Sequence, residues 1–407
     1  MQTSMRNGSS RLIMLLAVLV LPSMIMTVFG ADSMAAGLGL GSLVLIAFQF
    51  ASWRTFGVRS NRLALWLLTT LLVIALVVAH GLLASQTNSA LDWQRLLSSL
   101  ALACLAWVGA GVFANWIARS EDASIDRFVV WALMLLAVNA VFGLMGVIIV
   151  PHATFKASGY FSEPSHLAVA ASPFLVYVSS ARWRTRWLIL GAFFAWGILI
   201  QNLTTLVVVA VAVLPGIRAS FKTVLGAGVV VALLLGGILT QPSVDKNYFF
   251  ARLPINSNTE NQSALVFLRG WEYASLAFDD TYGIGLGFQQ FGSQYLPGDV
   301  LTRLESLGGG MQNRFDGGTV AAKIVGELGA IGTFIVCLFA IWSFRMLRRL
   351  RDSKVGKLPR PQIFFAASVV GVSVEMFVRG IGYFSPSVLM LMSSISAVVL
   401  GFWRQRK

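Results

Sequence analysis

Charge is what this chain has least of. Charged residues make up 12% of 407, against 57% hydrophobic. With a mean hydropathy of +0.76, that balance excludes an ordinary soluble domain; repeated apolar runs long enough to cross a bilayer predict a polytopic membrane protein. Cysteine occurs only as Cys104 and Cys337, both inside apolar runs. That excludes a disulfide framework or a thiolate metal site and leaves two packing residues. Nucleotide fingerprints are missing too: there is no P-loop, and Gly283-x-Gly285 is followed by Phe288 where a third glycine is required. No small-residue cleavage site follows Leu12–Phe29, which leads directly into another span, so a cleavable signal peptide is not expected. Neither an internal repeat nor a low-complexity segment is visible.

What is present is an all-α polytopic pattern. We read twelve spans, at roughly 12–30, 36–53, 63–84, 96–117, 128–150, 165–181, 187–201, 203–217, 223–240, 319–344, 362–382 and 386–403. Placing the N-terminus in the cytoplasm puts 22 of the 31 Lys and Arg residues inside, including the run Arg345–Arg360 and the C-terminal Arg404, Arg406 and Lys407. Both termini are then cytoplasmic. The net charge of +14 is a topology signal plus attraction to anionic membrane lipids, and a nucleic-acid partner is not expected. Acidic residues are biased the other way: of seventeen, only Glu121, Asp122, Asp126 and Asp352 fall in cytoplasmic loops. Spans seven and eight are short and separated by Gln201-Asn-Leu-Thr-Thr205. A helical hairpin is the expected reading, with a continuous broken helix as its alternative.

The whole chain (1–407) is expected to form one integral membrane domain, with residues 241–318 as a periplasmic loop subdomain between spans nine and ten. Within that loop Ala264, Phe267, Leu268, Trp271, Ala274 and Phe278 recur at helical spacing, and Arg269 and Glu272 lie on another face. This predicts an amphipathic helix at about 263–278, on the membrane surface or over the bundle. Gly283-Ile-Gly-Leu-Gly287 follows as flexible punctuation. Asp279-Asp280 invites a metal reading, but neighbours on a helix point about 100° apart. A helix end is preferred, and no metal is expected.

The stretch Gly159-Tyr-Phe-Ser-Glu-Pro-Ser-His-Leu-Ala168 opens the sixth span. Ser162 can cap, Pro164 suits the first turn, and Glu163 sits at the positive end of the helix dipole. A carboxylate and an imidazole (Glu163 and His166) are thereby held at a membrane–water boundary, where they need a partner or a task. Similar outer-end pairs occur at Lys323/Glu327 and Glu375/Arg379, each four residues apart on a helix face. Three such clusters predict one outward-facing polar chamber, provided the helices converge. Other loop cations are Arg252, Arg314 and Arg303; His152 is an exposed loop histidine and His80 a boundary residue.

The order of Gly159–Ala168, Phe267-Leu-Arg-Gly-Trp271, Gly283–Gly287 and Gly326-Glu-Leu-Gly-Ala-Ile-Gly332 resembles the O-antigen polymerase/ligase superfamily, and within it the Wzy-type polysaccharide polymerases. The resemblance covers about half the chain. It implies a GT-C-like membrane glycosyltransferase of the bacterial inner membrane that needs no cofactor. The donor would be a glycan on undecaprenyl diphosphate and the acceptor a second lipid-linked repeat, with a chain-length regulator and a flippase as partners. The related ligases carry a histidine near the end of the large loop, and Asn313-Arg-Phe-Asp-Gly-Gly-Thr319 has none. Glycosyl transfer of this kind needs a proton acceptor, for which Glu163 is preferred and His166 second. It also needs cations for the diphosphate, for which Arg269 and Arg379 lead, ahead of Arg252, Arg314 and Lys323. Glu272, Glu327, Glu375 and Trp271 are supporting residues. An Arg269–Glu272 pair one turn apart and a self-neutralising Glu375–Arg379 pair are the plain structural alternatives. From other classes, a lipid-linked oligosaccharide flippase or transporter, or a structural membrane subunit, remain open; a ligase is the alternative within the superfamily.

Overall fold

The computed structural model describes residues 2–31, 33–52, 58–88, 90–147, 157–217, 259–310, 313–352 and 358–404. Among them the chain is helical, with one isolated antiparallel bridge between Ser158 and Phe161. The elements are α1 (Gln2–Leu15), a π-helical turn (Leu16–Val20), α2 (Leu21–Phe29), α3 (Ala35–Ala51), α4 (Ser60–Ala84), α5 (Trp93–Arg119) and α6 (Asp122–Leu144). Then come α7 (Pro164–Ser180), α8 (Arg186–Leu199), α9 (Leu203–Val213), α10 (Gln262–Asp280), α11 (Asp299–Ser306), α12 (Val320–Arg351), α13 (Arg360–Phe377) and α14 (Pro386–Val399).

The structure does not contain twelve full crossings. Among the described residues five helices are long and apolar enough to span a membrane: Gly8–Phe29, Ser60–Thr87, Trp93–Arg119, Asp122–Leu144 and Val320–Arg351. The chain is thus a multi-pass membrane protein with fewer long spans than its hydropathy predicts. The shortfall has a physical cause. Helices α7 and α13, of 17 and 18 residues, are about 26 and 27 Å long at 1.5 Å per residue, less than a ~30 Å hydrocarbon core. They are buried along nearly their whole length and face protein rather than lipid, so no full-length apolar surface is required of them. The predicted span 223–240 lies outside the described residues.

Helices α7 and α13 form the centre, crossing where Gly371 meets the backbone of Ser172 and Pro173. A Cβ at Gly371 would stand 2.6 Å from the Pro173 nitrogen; the missing side chain is what lets the helices touch, and Ser172 Oγ donates to the Gly371 carbonyl at 2.9 Å. Around them lie Phe113, Phe128, Phe174 and Phe364, ring against ring at 5.8–6.4 Å. The short α8 and α9 form the hairpin expected from sequence. Gln201 turns the chain at φ 54° and the Asn202 side chain accepts from the Thr205 amide, capping α9.

The two ends of the bundle differ in what they carry. One end gathers the arginine-rich segments, for example Arg360 on Asp126 (3.4 Å), with Tyr177 donating to the same carboxylate at 2.6 Å. The other end carries the start of α7, the end of α13, α10, α11 and the described loops between them, and every candidate residue that the structure describes lies there.

Candidate functional site at the loop-rich end

Glu163 is the residue just before α7, in extended backbone (φ −143°, ψ 151°), and its carboxylate does not cap the helix. Instead Oε2 accepts from Arg379 Nη2 at 3.0 Å and from Ser165 Oγ at 2.9 Å. The expected Glu375–Arg379 pair is therefore not made. Helix α13 ends at Phe377, and the amides of both Val378 and Arg379 return to the Val374 carbonyl. That unwinding carries Arg379 off the face it would share with Glu375. Burial alone would raise the Glu163 carboxyl, but Arg379, His166 and the Ser165 hydroxyl outweigh it and bring it down to about 2. His166 is buried behind it, its Nδ1 at 2.9 Å from Ser162 Oγ. The preceding turn is fixed by Gly159 (φ 63°), where a Cβ would collide with Asn139; Asn139 Oδ1 accepts from the Tyr160 amide at 2.9 Å.

The other two clusters meet the same loop. Lys323 and Glu327 form the pair their spacing predicts, at 3.9 Å, both fully buried. Lys323 Nζ also donates to the Phe315 carbonyl (2.7 Å) and Gln289 Oε1 (3.2 Å). Glu327 accepts from the Phe291 amide (3.0 Å) and from Tyr383 OH (2.8 Å), and Tyr383 stacks on Phe288. Glu375 is also fully buried. Its Oε2 accepts from the hydroxyls of Ser385 and Ser387, while its Oε1 has no partner. A single segment, 378–387, thus reaches Glu163 through Arg379, Glu327 through Tyr383, and Glu375 through Ser385 and Ser387. The condition set for the outward-facing chamber, that the three clusters converge, is met around this segment, although Lys323, Glu327 and Glu375 are buried within the protein. Two of the carboxylates carry a cation, whereas Glu375 has the Ser385 and Ser387 hydroxyls and, among the described residues, no ion pair.

Helix α10 packs on α12 and α11 over the bundle, but on a different face from the one its apolar spacing indicates. Leu265, Val266, Arg269, Gly270, Tyr273, Ala274 and Ala277 are buried, whereas Ala264, Phe267, Leu268, Trp271 and Phe278 are not fully so. The determinant is Gly270. A Cβ there would stand 1.9 Å from the Gly317 carbonyl oxygen, so the helix can approach the 313–319 loop only on this side. That turns Arg269 inward, where Nη1 donates to the Gly310 carbonyl at 2.6 Å. Burial, then the nearby Arg314 charge, pulls its guanidinium below the ordinary value. The Arg269–Glu272 pair is not formed: Glu272 accepts from the amides of Val300 and Leu301 at 2.9 and 3.1 Å, receiving the start of α11. Trp271 is half-buried, packed between α10 and α12.

Gly283–Gly287 is not flexible punctuation. Helix α12 breaks at Gly329 (φ 54°, ψ −128°), and the glycine loop fills the break. Leu286 and Gly287 donate their amides to the carbonyls of Gly326 and Glu327 at 3.0 and 2.9 Å, and Ala330 returns a bond to Gly283 at 2.8 Å. Two glycine motifs distant in sequence are thus one structural unit, since backbone opened inside a helix at membrane depth needs partners from the protein. His80, at the end of α4, reaches the same loop through Nε2 and the Ile284 carbonyl at 2.9 Å.

Arg314 lies at the same end, Nε donating to the Gly292 carbonyl at 2.6 Å, and Arg303 pairs with Glu260 on the surface at 3.8 Å. Arg252 and His152 lie outside the described residues. Sequence reasoning missed Tyr383, Ser385 and Ser387; the signal was Gly380 and Gly382 in the short break before the last apolar run. Asp279-Asp280 ends α10 as expected, and among the described residues no group of three His, Cys, Asp or Glu side chains could hold a metal. A cavity of about 170 Å³ lined by Gln49, Asn115, Arg119 and Glu121 lies at the opposite end and includes none of these residues. No protein-family model matches the chain, and no curated protein is significantly similar to it.

Proposed function

We propose that the chain is a polysaccharide polymerase resembling the O-antigen polymerase/ligase superfamily. It would transfer a glycan from undecaprenyl diphosphate to a second lipid-linked repeat at the periplasmic face of the bacterial inner membrane. The observation that carries this reading is the Glu163–Arg379 pair, half open at the loop-rich end where the four quoted motifs meet. Support also comes from the basic residues, which concentrate at the opposite end, as a cytoplasmic face requires.

In this reading Arg379 binds the diphosphate. A guanidinium engaged by phosphate oxygens no longer holds Glu163, so the carboxylate, a poor base while paired, gains proton affinity as the donor arrives. The acceptor hydroxyl then attacks the anomeric carbon and its proton passes to Glu163. The bond from that carbon to the diphosphate oxygen breaks, and the leaving group takes the electron pair beside Arg379. Lys323 and Glu327, buried, and Tyr383, partly buried, fix the loop that carries Arg379. Arg269 is spent on a backbone carbonyl and acts as a positioning residue.

The test is the lipid-linked glycan profile of a deletion strain complemented with wild type, Glu163→Gln or Arg379→Gln, with membrane levels matched. Single repeats accumulating at the periplasmic face in the deletion and both variants support a polymerase. Repeats held at the cytoplasmic face would replace it with a flippase, and long polymer left on the carrier with a ligase.

A further inference from the structure

A second feature of the loop-rich end takes no part in the chemistry above. Arg95, in the first turn of α5, places its Cζ 4.3 Å from the centroid of the Phe315 ring, and Arg314 places its own 5.6 Å from the same ring. The ring is 38% exposed. Arg314 gives Nε and Nη2 to the carbonyls of Gly292 and Ser293. Among the described residues neither Arg95 nor Arg314 has a carboxylate within ion-pair distance. A third guanidinium, on Arg269, is disfavoured by Arg314 and favoured by the carboxylates of Glu305 and Glu272. Asp92 caps α5 through the Arg95 amide. The Arg95 guanidinium still stands at the positive end of that helix, where a cation is disfavoured.

Arg95 and Arg314 are thus held by the ring and by backbone carbonyls, around an exposed aromatic face, with no carboxylate in ion-pair contact among the described residues. Both guanidiniums keep capacity for an anion, and one with a flat C–H face uses the whole patch: the ring takes the apolar face and the guanidinium forks take the charge. Inorganic or lipid diphosphate would use the charge and leave the ring idle. The geometry points to a subsite for a sugar bearing a carboxylate, formed by Arg95, Arg314 and Phe315. The identity of the ligand as a glycan rests on the polymerase reading. The subsite also communicates with Arg379: the Phe315 carbonyl accepts from Lys323, and three residues on, the Gly318 carbonyl accepts from the Gly380 amide at 2.8 Å. An acidic repeat bound at Phe315 would therefore press on the segment that holds the Glu163 ion pair.

Binding to the full-length protein in nanodiscs tests this without requiring turnover. The probes are tetragalacturonate, maltotetraose and inorganic diphosphate, followed by saturation-transfer NMR and calorimetry. Tetragalacturonate is expected to bind, and maltotetraose at least about tenfold more weakly. Arg95→Gln and Phe315→Ala should each lose about tenfold for tetragalacturonate with unchanged melting; Arg95 is the better site because, among the described residues, its side chain meets the ring without an ion pair. The inference is overturned by equal binding of the neutral sugar, by no binding of the acidic one, or by variants within about twofold of wild type. It is also overturned if diphosphate displaces tetragalacturonate equally from wild type and Phe315→Ala, which would make the patch a phosphate site. The glycan profile of Glu163→Gln is read separately, so failure of the polymerase reading and failure of the subsite are distinguishable.

Discussion

Replacing Gly329 by alanine tests whether the break in α12 and the loop that fills it form one unit. At φ 54°, ψ −128° the backbone occupies ground that side chains reach only with strain of about 1–3 kcal/mol. The added Cβ would also stand 2.1 Å from the Gly283 carbonyl oxygen and 2.6 Å from the Ile284 carbonyl carbon. Both are backbone atoms, so the loop must retreat. Retreat opens the bonds from Leu286, Gly287 and Ala330, each worth about 1 kcal/mol net. Together these predict about 4–6 kcal/mol of destabilisation. The control is Gly191→Ala in α8, where a Cβ meets nothing within 4 Å and alanine gains up to about 1 kcal/mol of helix propensity. Thermal unfolding of the detergent-solubilised protein, followed by tryptophan fluorescence, reads both. Gly329→Ala should melt well below wild type and Gly191→Ala at or slightly above it. If Gly329→Ala melts with wild type, the loop does not support the broken helix.

Other perturbations follow from the same geometry. Two unit charges ~4 Å apart are worth ~1 kcal/mol in water and ~4 at an effective dielectric of 20. With the Glu163 side chain 41% exposed, a Glu163→Gln/Arg379→Gln double-mutant cycle should give a coupling of about 1–2 kcal/mol; a value near zero would remove the pair from the site. Because the Glu163 carboxyl is lowered from 4.5 to about 2, the pair's contribution is complete above about 4.5 and fades as pH falls towards 2. Wild type should therefore lose more stability across that window than Arg379→Gln does, and equal losses would contradict it. Lys323→Met leaves Glu327 buried without its cation and should cost about 3–5 kcal/mol, much of it restored in Lys323→Met/Glu327→Gln; a stable single variant would argue against the buried pair. Asn202→Ala should cost about 1 kcal/mol through loss of the α9 cap, visible as faster proteolysis at the hairpin, and unchanged cleavage would count against that cap.

Membrane class, the α8–α9 hairpin and the Lys323–Glu327 pair were legible in sequence, because spacing and hydropathy are local signals; the three polar clusters were visible one by one, but their meeting depends on tertiary packing. The partner of Arg379 was not legible. Where α13 unwinds decides which face Arg379 leaves by, and that is set by its contact with Glu163, distant in the chain. The buried face of α10 was misjudged because apolar spacing carries weight only when packing is by side chains. At Gly270 the contact is backbone on backbone, and it rotated a charged residue inward. The span count was too high because α3, α8, α9 and α14 are shorter than a full crossing, and because α7 and α13 are apolar enough to resemble crossings but are sheathed by protein.

That sheathing bears on how the protein is made. Ser172 and Gly371, the contact at the heart of the bundle, are separated by 199 residues. At about 5–20 residues per second a ribosome needs roughly 10–40 s to deliver the second after the first. Throughout that interval α7 has emerged without its main partner, and hydroxyls such as Ser172, later covered by α13, need temporary company. The nascent chain therefore has a time window in which an insertase or a neighbouring helix must stand in for α13. Slowing translation between the two helices should lengthen that window, and with it the exposure to membrane proteases.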